Sequence, residues 1–284
     1  MSENERPAMR SLGIVYRERS SDAAALAFTL KERIEGGGRT AWVAERDDEP
    51  FIVEHLDAID TLLVLGGDGT ILSVARLCAP QQIPILGVNF GRVGFLTELE
   101  PSEVEEKLPL YLAGDYWVDE RAMLEAELAV DGRRERHLAL NDVVLVRGAE
   151  PRVIHIRVEI DGHLYNTTAA DGIIISTATG STAYNLAAGG PILHPQVRSS
   201  VVTPIAPHLA ADRSLILEPR AVIALRLTDE SAPAVLSADG QINRDLPAGA
   251  EVVVRGDAHV TKFLRRRPPT YFYRILSAKL RDNL

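Results

Sequence analysis

Asp68 stands within Gly66-Gly67-Asp68-Gly69-Thr70, a carboxylate among three glycines. The residues before it, Thr61-Leu62-Leu63-Val64-Leu65, are apolar without alternation, the pattern of a strand covered on both faces. Those after it, Ile71-Leu72-Ser73-Val74-Ala75-Arg76-Leu77, read as a helix. The carboxylate therefore falls on a turn between the carboxyl end of a buried strand and a helix N-terminus. Open α/β sheets bind ligands at that strand end, and a helix start offers free N–H groups to phosphate oxygens. Glycines there are expected to take left-handed backbone and let a ligand approach closely. The plainer alternative, a tight βα turn with Asp68 as helix cap, carries equal weight from this segment alone.

Three further groups of residues point the same way. Asn141-Asp142 interrupts an apolar stretch, Leu138 to Val146, where a buried charge is costly without partners. The pair is either a bulge with local side-chain bonds, or a carboxylate for sugar hydroxyls beside an amide for a base edge. Asp171-Gly172-Ile173-Ile174-Ile175 runs into Ser176-Thr177-Ala178-Thr179-Gly180-Ser181-Thr182, then Ala183-Tyr184-Asn185. Small side chains expose main-chain groups, hydroxyls add hydrogen bonds, and Tyr184 offers a ring to a planar base. A polar loop with a core tyrosine is the alternative, and the density of small polar residues favours a site. Asp239-Gly240-Gln241 reads only as a turn.

These residues need elements to hold them. Strands are expected at Ser11–Tyr16, Thr40–Ala44, Leu62–Leu65 and Ile85–Val88, with helices at Ala23–Glu35 and Thr70–Ala79. Strand and helix alternate, which predicts a parallel, doubly wound sheet. Asn89 to Leu96 follows as a glycine-containing loop at the same sheet edge as Asp68, and Ser102–Ala113 is a candidate helix that Pro109 should kink. From about Tyr116 the pattern becomes β: Val153–Ile160 alternates, and Asp131-Gly132 and Asp161-Gly162 signal hairpins. Shorter strands are expected at Ile173–Ile175, Leu215–Leu217, Val222–Leu225, Val235–Ser237 and Val252–Val254, and a last helix at Tyr271–Leu280. The fold class is α/β: a Rossmann-like N-terminal sheet over residues 1–117, a β-rich, sandwich-like domain over 118–264, and a C-terminal helix over 265–284. Arg265-Arg266-Arg267 reads as a solvated basic edge.

Composition narrows the class. The 284 residues suffice for two domains. A formal charge of −9 argues against nucleic-acid binding through a basic surface. The single cysteine, Cys78, forbids a disulfide within the chain and is expected in the core. The first ten residues lack an apolar leader core, and no apolar run is long enough to cross a bilayer. A cytoplasmic protein without membrane partners is expected.

Taken together, the glycine turn, Gly87-Val88-Asn89 with Gly94-Phe95-Leu96, Leu140-Asn141-Asp142, the Asp171–Tyr184 segment and Asp239-Gly240-Gln241 resemble the NAD kinase family, along nearly the whole chain. The resemblance implies ATP-dependent phosphorylation of NAD to NADP in a cleft between two domains. It implies that Asp68 accepts the proton of the adenosine-ribose 2′-hydroxyl, and that Gly69 lies against the dinucleotide. Asn141 and Asp142 match the residues that hold the adenine and the nicotinamide-side ribose. Asp171, Thr182, Ala183, Tyr184, Asn185, Leu186 and Ala187 match further dinucleotide contacts, with Arg152, Ala206 and Gln241 at weaker contact positions. A divalent cation, Mg²⁺, would bridge the donor phosphates, with ATP or polyphosphate as donor. A homodimer or homotetramer is implied. Three positions depart from the family: Asp142 where many members have Glu, Ala178 where Pro is common, and Ala169 where some carry a basic residue. A lipid kinase of the same superfamily and a non-catalytic NADP-binding sensor are the alternatives.

Overall fold

The computed structural model describes residues 8–92, 94–130, 133–149, 152–208 and 213–282. The chain runs through β1 (Ser11–Tyr16), α1 (Ser21–Gly36), β2 (Thr40–Glu45), α2 (Glu49–His55), β3 (Thr61–Gly66), α3 (Asp68–Cys78), β4 (Ile85–Asn89) and α4 (Val104–Leu112). There follow β5 (Trp117–Val130), β6 (Arg133–Ala139), β7 (Asp142–Arg147), β8 (Ile154–Ile160), β9 (His163–Ala170), β10 (Gly172–Ser176) and α5 (Tyr184–Ala187). The remainder is β11 (Ser200–Ile205), β12 (Leu215–Leu217), β13 (Val222–Leu227), β14 (Ala234–Ala238), β15 (Ile242–Leu246), β16 (Glu251–Arg265) and α6 (Tyr271–Asp282). The chain divides into two compact units, Met1–Glu120 with Thr261–Leu284, and Arg121–Val260.

The first unit is built on parallel strands in the order β2-β1-β3-β4, with the end of β16 beside β4 through Phe263 and Ile85. Every residue of β3 is buried, as its unbroken apolar run requires. On α1, Ser20 caps the first turn by accepting from Ala23 N–H, and Ala23, Ala27, Leu30 and Ile34 form the buried face. α2 is short and buries only Ile52, so no helical stripe announces it in the sequence. α4 follows a 3₁₀ turn at Pro101–Glu103 and continues through Pro109. Cys78 is buried, and burial pushes its thiol pKa up, which removes it from thiolate chemistry.

The second unit carries two antiparallel layers. One is β12-β11-β10-β7-β14-β15; the other pairs β16, β13, β8 and β9, with β5 beside β6. Ile156, Ile223 and Val252 of one layer join Ile175, Val202 and Leu236 of the other in one hydrophobic core. The alternation of β8 reflects this, since Ile154, Ile156 and Val158 are buried. Asp161 and Gly162 both take left-handed backbone, φ 51° and 77°, and close the β8–β9 hairpin. The hairpin expected at Asp131-Gly132 lies outside the described residues.

The close packing of β1 on β2 and β3 depends on Gly13, where a Cβ would overlap the Trp42 ring and lie 2.8 Å from Leu62 Cδ1. Gly13→Ala should therefore cost about 1–3 kcal/mol by overpacking. Gly36→Ala, where a Cβ meets nothing within 4 Å, should be neutral or stabilise by up to about 1 kcal/mol. Urea unfolding followed by tryptophan fluorescence measures both, and equal midpoints would contradict the packing argument.

Candidate active site

In the first unit, the buried β3 delivers the chain to Gly67, the N-cap of α3, and Asp68 is the first residue of that helix. No side chain caps α3, so Asp68 does not serve as the cap. Its carboxylate reaches instead to the loop after β4: Phe95 N–H donates to Oδ2 at 2.9 Å and Leu96 N–H to Oδ1 at 3.1 Å. Gly94 makes this approach possible, since a Cβ there would overlap the carboxylate. Two N–H donors fix the orientation of Asp68 and leave acceptor capacity on both oxygens.

The expected left-handed glycines are not found: Gly66, Gly67 and Gly69 all lack positive φ. Gly66 is needed for a different reason, because a Cβ there would overlap the Thr70 side chain. Gly69 is exposed, with open space where a Cβ would point. The loop after β4 begins at Asn89, whose amide donates to Glu100 Oε1 at 3.2 Å, and at Phe90, whose N–H donates to Gly66 O. Val93 of this loop lies outside the described residues.

In the second unit, Asn141 is not inside a strand but at the break between β6 and β7, and Asp142 begins β7. The break exists because the Asp239 carboxylate takes three consecutive main-chain donors: Leu140 N–H at 2.7 Å, Asn141 N–H at 2.7 Å and Asp142 N–H at 3.1 Å. Hydrogen bonds to a charged acceptor contribute about 1.5–3 kcal/mol each, enough to divert a strand. Asp239 and Gly240 reach this position by a left-handed turn, φ 52° and 66°. The Asp-Gly turn is thus also the clamp on Asn141-Asp142, a role the local sequence does not reveal. From the other side, Thr177 N–H donates to Asn141 O at 2.8 Å, and Gly180 lacks a Cβ that would overlap the same carbonyl.

The Thr177–Ala187 segment separates into an inner and an outer set. Ser181 donates to Ala178 O and accepts from Leu193 N–H. Asn185 is fully buried, and its side chain bonds Ser181 O, Pro191 O and the Thr203 hydroxyl. Its side chain therefore holds the loop from within. The outer set is Ala183, Tyr184 and Ala187, all exposed, with Thr182 and Leu186 half-buried. Tyr184 presents its ring with 44% exposure. Asp171, between β9 and β10, pairs with Arg147 at 2.9 Å. Arg152 is exposed before β8; Gln241 is exposed after the Asp239-Gly240 turn. Ala206 is exposed with φ 45°, a strained backbone for a residue with a Cβ. Buried Arg121, which donates to Thr179 Oγ1 at 3.4 Å, supports the same segment and carries no local signal in the sequence.

Asp142 is 6% exposed, and no hydrogen bond to its carboxyl is present among the described residues. Burial, with the Asp239 charge as the second cause, pushes its pKa up to about 7. Among the described residues no group of three or more His, Cys, Asp or Glu side chains could hold a metal ion. Nor is any described helix long and apolar enough to cross a membrane.

The family profile described as ATP-NAD kinase N-terminal domain matches residues 11–116, and that described as ATP-NAD kinase C-terminal domain matches 140–265. An NAD kinase of Dehalococcoides mccartyi is 40% identical over 276 residues, 96% of this chain and 97% of that protein. An NAD kinase of Chloroflexus aurantiacus is 39% identical over 277 residues, 96% and 99% of the two chains. Among solved structures, yeast NADH kinase complexed with NADH superposes with a TM-score of 0.78 at 26% identity, covering 92% of this chain and 85% of that one. An NAD kinase from Archaeoglobus fulgidus in complex with ATP shares the fold, with a TM-score of 0.75 at 24% identity over 95% and 98% of the chains.

The Asp142 carboxyl makes stability depend on pH. Its folded pKa of about 7 exceeds the ordinary 3.8, so between these values the folded chain keeps a proton that the unfolded chain has released. The contribution to stability therefore falls as pH rises from about 4 to about 7 and stays lost above. Asp142→Asn should remove this slope, making the variant more stable than the parent at pH 8 and closing the gap below pH 4. Thermal midpoints across that range check it, and parallel profiles for the two proteins would contradict it.

Proposed function

The chain belongs to the NAD kinase family, and from that premise we propose how its residues divide the work of moving a phosphoryl group from ATP to NAD. The reaction gives NADP and ADP, with the 2′-hydroxyl of the adenosine ribose as the acceptor. Asp68 takes the proton of that hydroxyl. The observation that carries this reading is the fixed carboxylate: Phe95 and Leu96 N–H groups aim it, and Gly94 leaves room for it. A loose phosphoryl-transfer transition state needs little activation of the nucleophile beforehand, so the proton moves late. Catalysis then rests on positioning and charge neutralisation. The uncapped N-terminus of α3, with open space at Gly69, supports a role in receiving phosphate oxygens.

The dinucleotide is held by the second unit. Asn141 meets the adenine and Asp142 the nicotinamide-side ribose, presented by the Asp239 clamp. Tyr184, Ala183, Ala187, Thr182 and Leu186 form the ligand-facing side of their segment, on the strength of their exposure. Gly69, Asp171, Arg152, Ala206 and Gln241 complete the contacts, while Asn185 acts from behind. A divalent cation, Mg²⁺, would accompany the ATP donor and supply charge neutralisation on its phosphates. A homodimer or homotetramer is supported by the exposed Leu164 and Tyr165 on the edge strand β9. The single buried cysteine supports a cytoplasmic setting for NADP synthesis. The polar Thr179–Asn185 segment offers no acyl-chain pocket, and an oriented Asp68 gives a silent sensor no advantage.

Asp68→Asn should fold and bind NAD within a few-fold of the parent, while kcat falls by about 10²-fold or more. Calorimetry with NAD and a coupled NADP assay, crossing NAD and NADH with ATP and polyphosphate, measure both. Near-normal NADP formation by the folded variant would overturn the assignment of Asp68.

A further inference from the structure

Arg265, the last residue of β16, reads in the sequence as the start of an exposed basic run, yet its side chain is only 7% exposed. Its Nε lies 3.5 Å from Asp119 Oδ2 and its Nη1 3.4 Å from Glu98 Oε2, and both carboxylates are buried. The guanidinium also donates to main-chain carbonyls: Nη1 to Thr97 O at 3.0 Å and Nη2 to Phe95 O at 3.4 Å. The other Glu98 oxygen accepts from the Arg266 and Arg267 N–H groups and from the Tyr111 hydroxyl. All of these residues lie in the first unit.

The Phe95 carbonyl and the Leu96 N–H belong to one peptide group, which is planar and rigid. Arg265 holds the carbonyl side of that plane, and the Asp68 carboxylate accepts from its N–H side. A cation on the oxygen and an anion on the N–H polarise the amide in the same sense and resist its rotation. The Phe95 ring is held as well, with the Phe272 ring 5.8 Å away and Lys279 Nζ 5.0 Å from its centroid. We propose that Arg265 is a positioning residue for phosphoryl transfer: by holding the Phe95 carbonyl it fixes the Phe95–Leu96 peptide group that helps aim the Asp68 carboxylate, and its bond to the Thr97 carbonyl anchors the loop just beyond. The proposal rests on the assignment of Asp68 made above. A lysine could supply the charge, but only the planar fork reaches two carbonyls and two carboxylates at once.

Replacing Arg265 alone would strand two buried carboxylates, so the test uses a charge-balanced variant, Arg265→Met with Glu98→Gln and Asp119→Asn. The amide introduced by Glu98→Gln keeps a carbonyl oxygen for the three donors that now bond the carboxylate. The expected result is a fall in kcat of about 10- to 100-fold, with KM for NAD and ATP within about twofold. Amide exchange in the 94–98 segment should quicken while the rest of the chain keeps parental protection. Arg265→Lys should fall between the two, and it carries the same readouts if the triple variant does not fold. Tyr111→Phe, which loosens Glu98 without touching the loop carbonyls, should keep parental kcat.

A folded triple variant with parental kcat, a rise in KM at unchanged kcat, or an equal loss in Tyr111→Phe would overturn the proposal. Asp68→Asn separates the two levels of the argument. If it is inactive while the triple variant turns over normally, only the role of Arg265 falls; if it turns over normally, both fall.

Discussion

Carboxylates bonded to main-chain N–H groups are the interaction on which the candidate residues of each unit depend. In the first unit the side chain proposed to take the proton is the one held: Asp68 accepts from Phe95 and Leu96. In the second unit the side chain does the holding: Asp239 accepts from Leu140, Asn141 and Asp142 and thereby presents the last two. Main-chain donors suit this task because their direction is set by the fold and has no rotamer freedom to lose. A carboxylate satisfied in this way is also placed more firmly than one facing water, which is what a positioning-dominated reaction asks of its protein.

Such clamps need empty space at defined points, and that explains several glycines better than backbone freedom does. Gly94 is empty because Asp68 occupies the place of a Cβ; Gly180 because the Asn141 carbonyl does; Gly190 because the Asn185 amide does. In each case the neighbour is a polar group with an assigned role in the site or its support. Left-handed glycine matters elsewhere, at Gly162 and Gly240, where hairpins close. The glycine turn at residues 66–69 belongs to the first kind, through the contact of Gly66 with Thr70.

Elements with strong periodicity were legible in the sequence. β1, β3, β4, β8 and α1 follow from apolar runs, alternation or a helical stripe. α2 was not, since it buries one residue, nor were β9, β11 and β15. β9 and β15 are half-exposed or polar strands whose place comes from their partners, β8 and β14. β16 was read only at Val252–Val254, although it runs on to Arg265, because its middle carries Gly256, Asp257 and His259. The polar end of that strand concealed Arg265, whose burial depends on Glu98 and Asp119 far away in the chain.

The order of motifs along the chain was enough to determine the family, the α/β and β-rich character of the two parts, and the residue types available for phosphoryl transfer. These follow from local pattern, which a linear sequence carries in full. Tertiary structure alone decided which polar groups are spent on one another: Asp68 on the loop after β4, Asp239 on the β6–β7 break, Asn185 on the interior of its own loop, and Arg265 on the Phe95 peptide. Hydrogen bonds and desolvation act here between residues as much as 170 positions apart, and their energies depend on distance, direction and burial. None of those three quantities exists until the chain has folded.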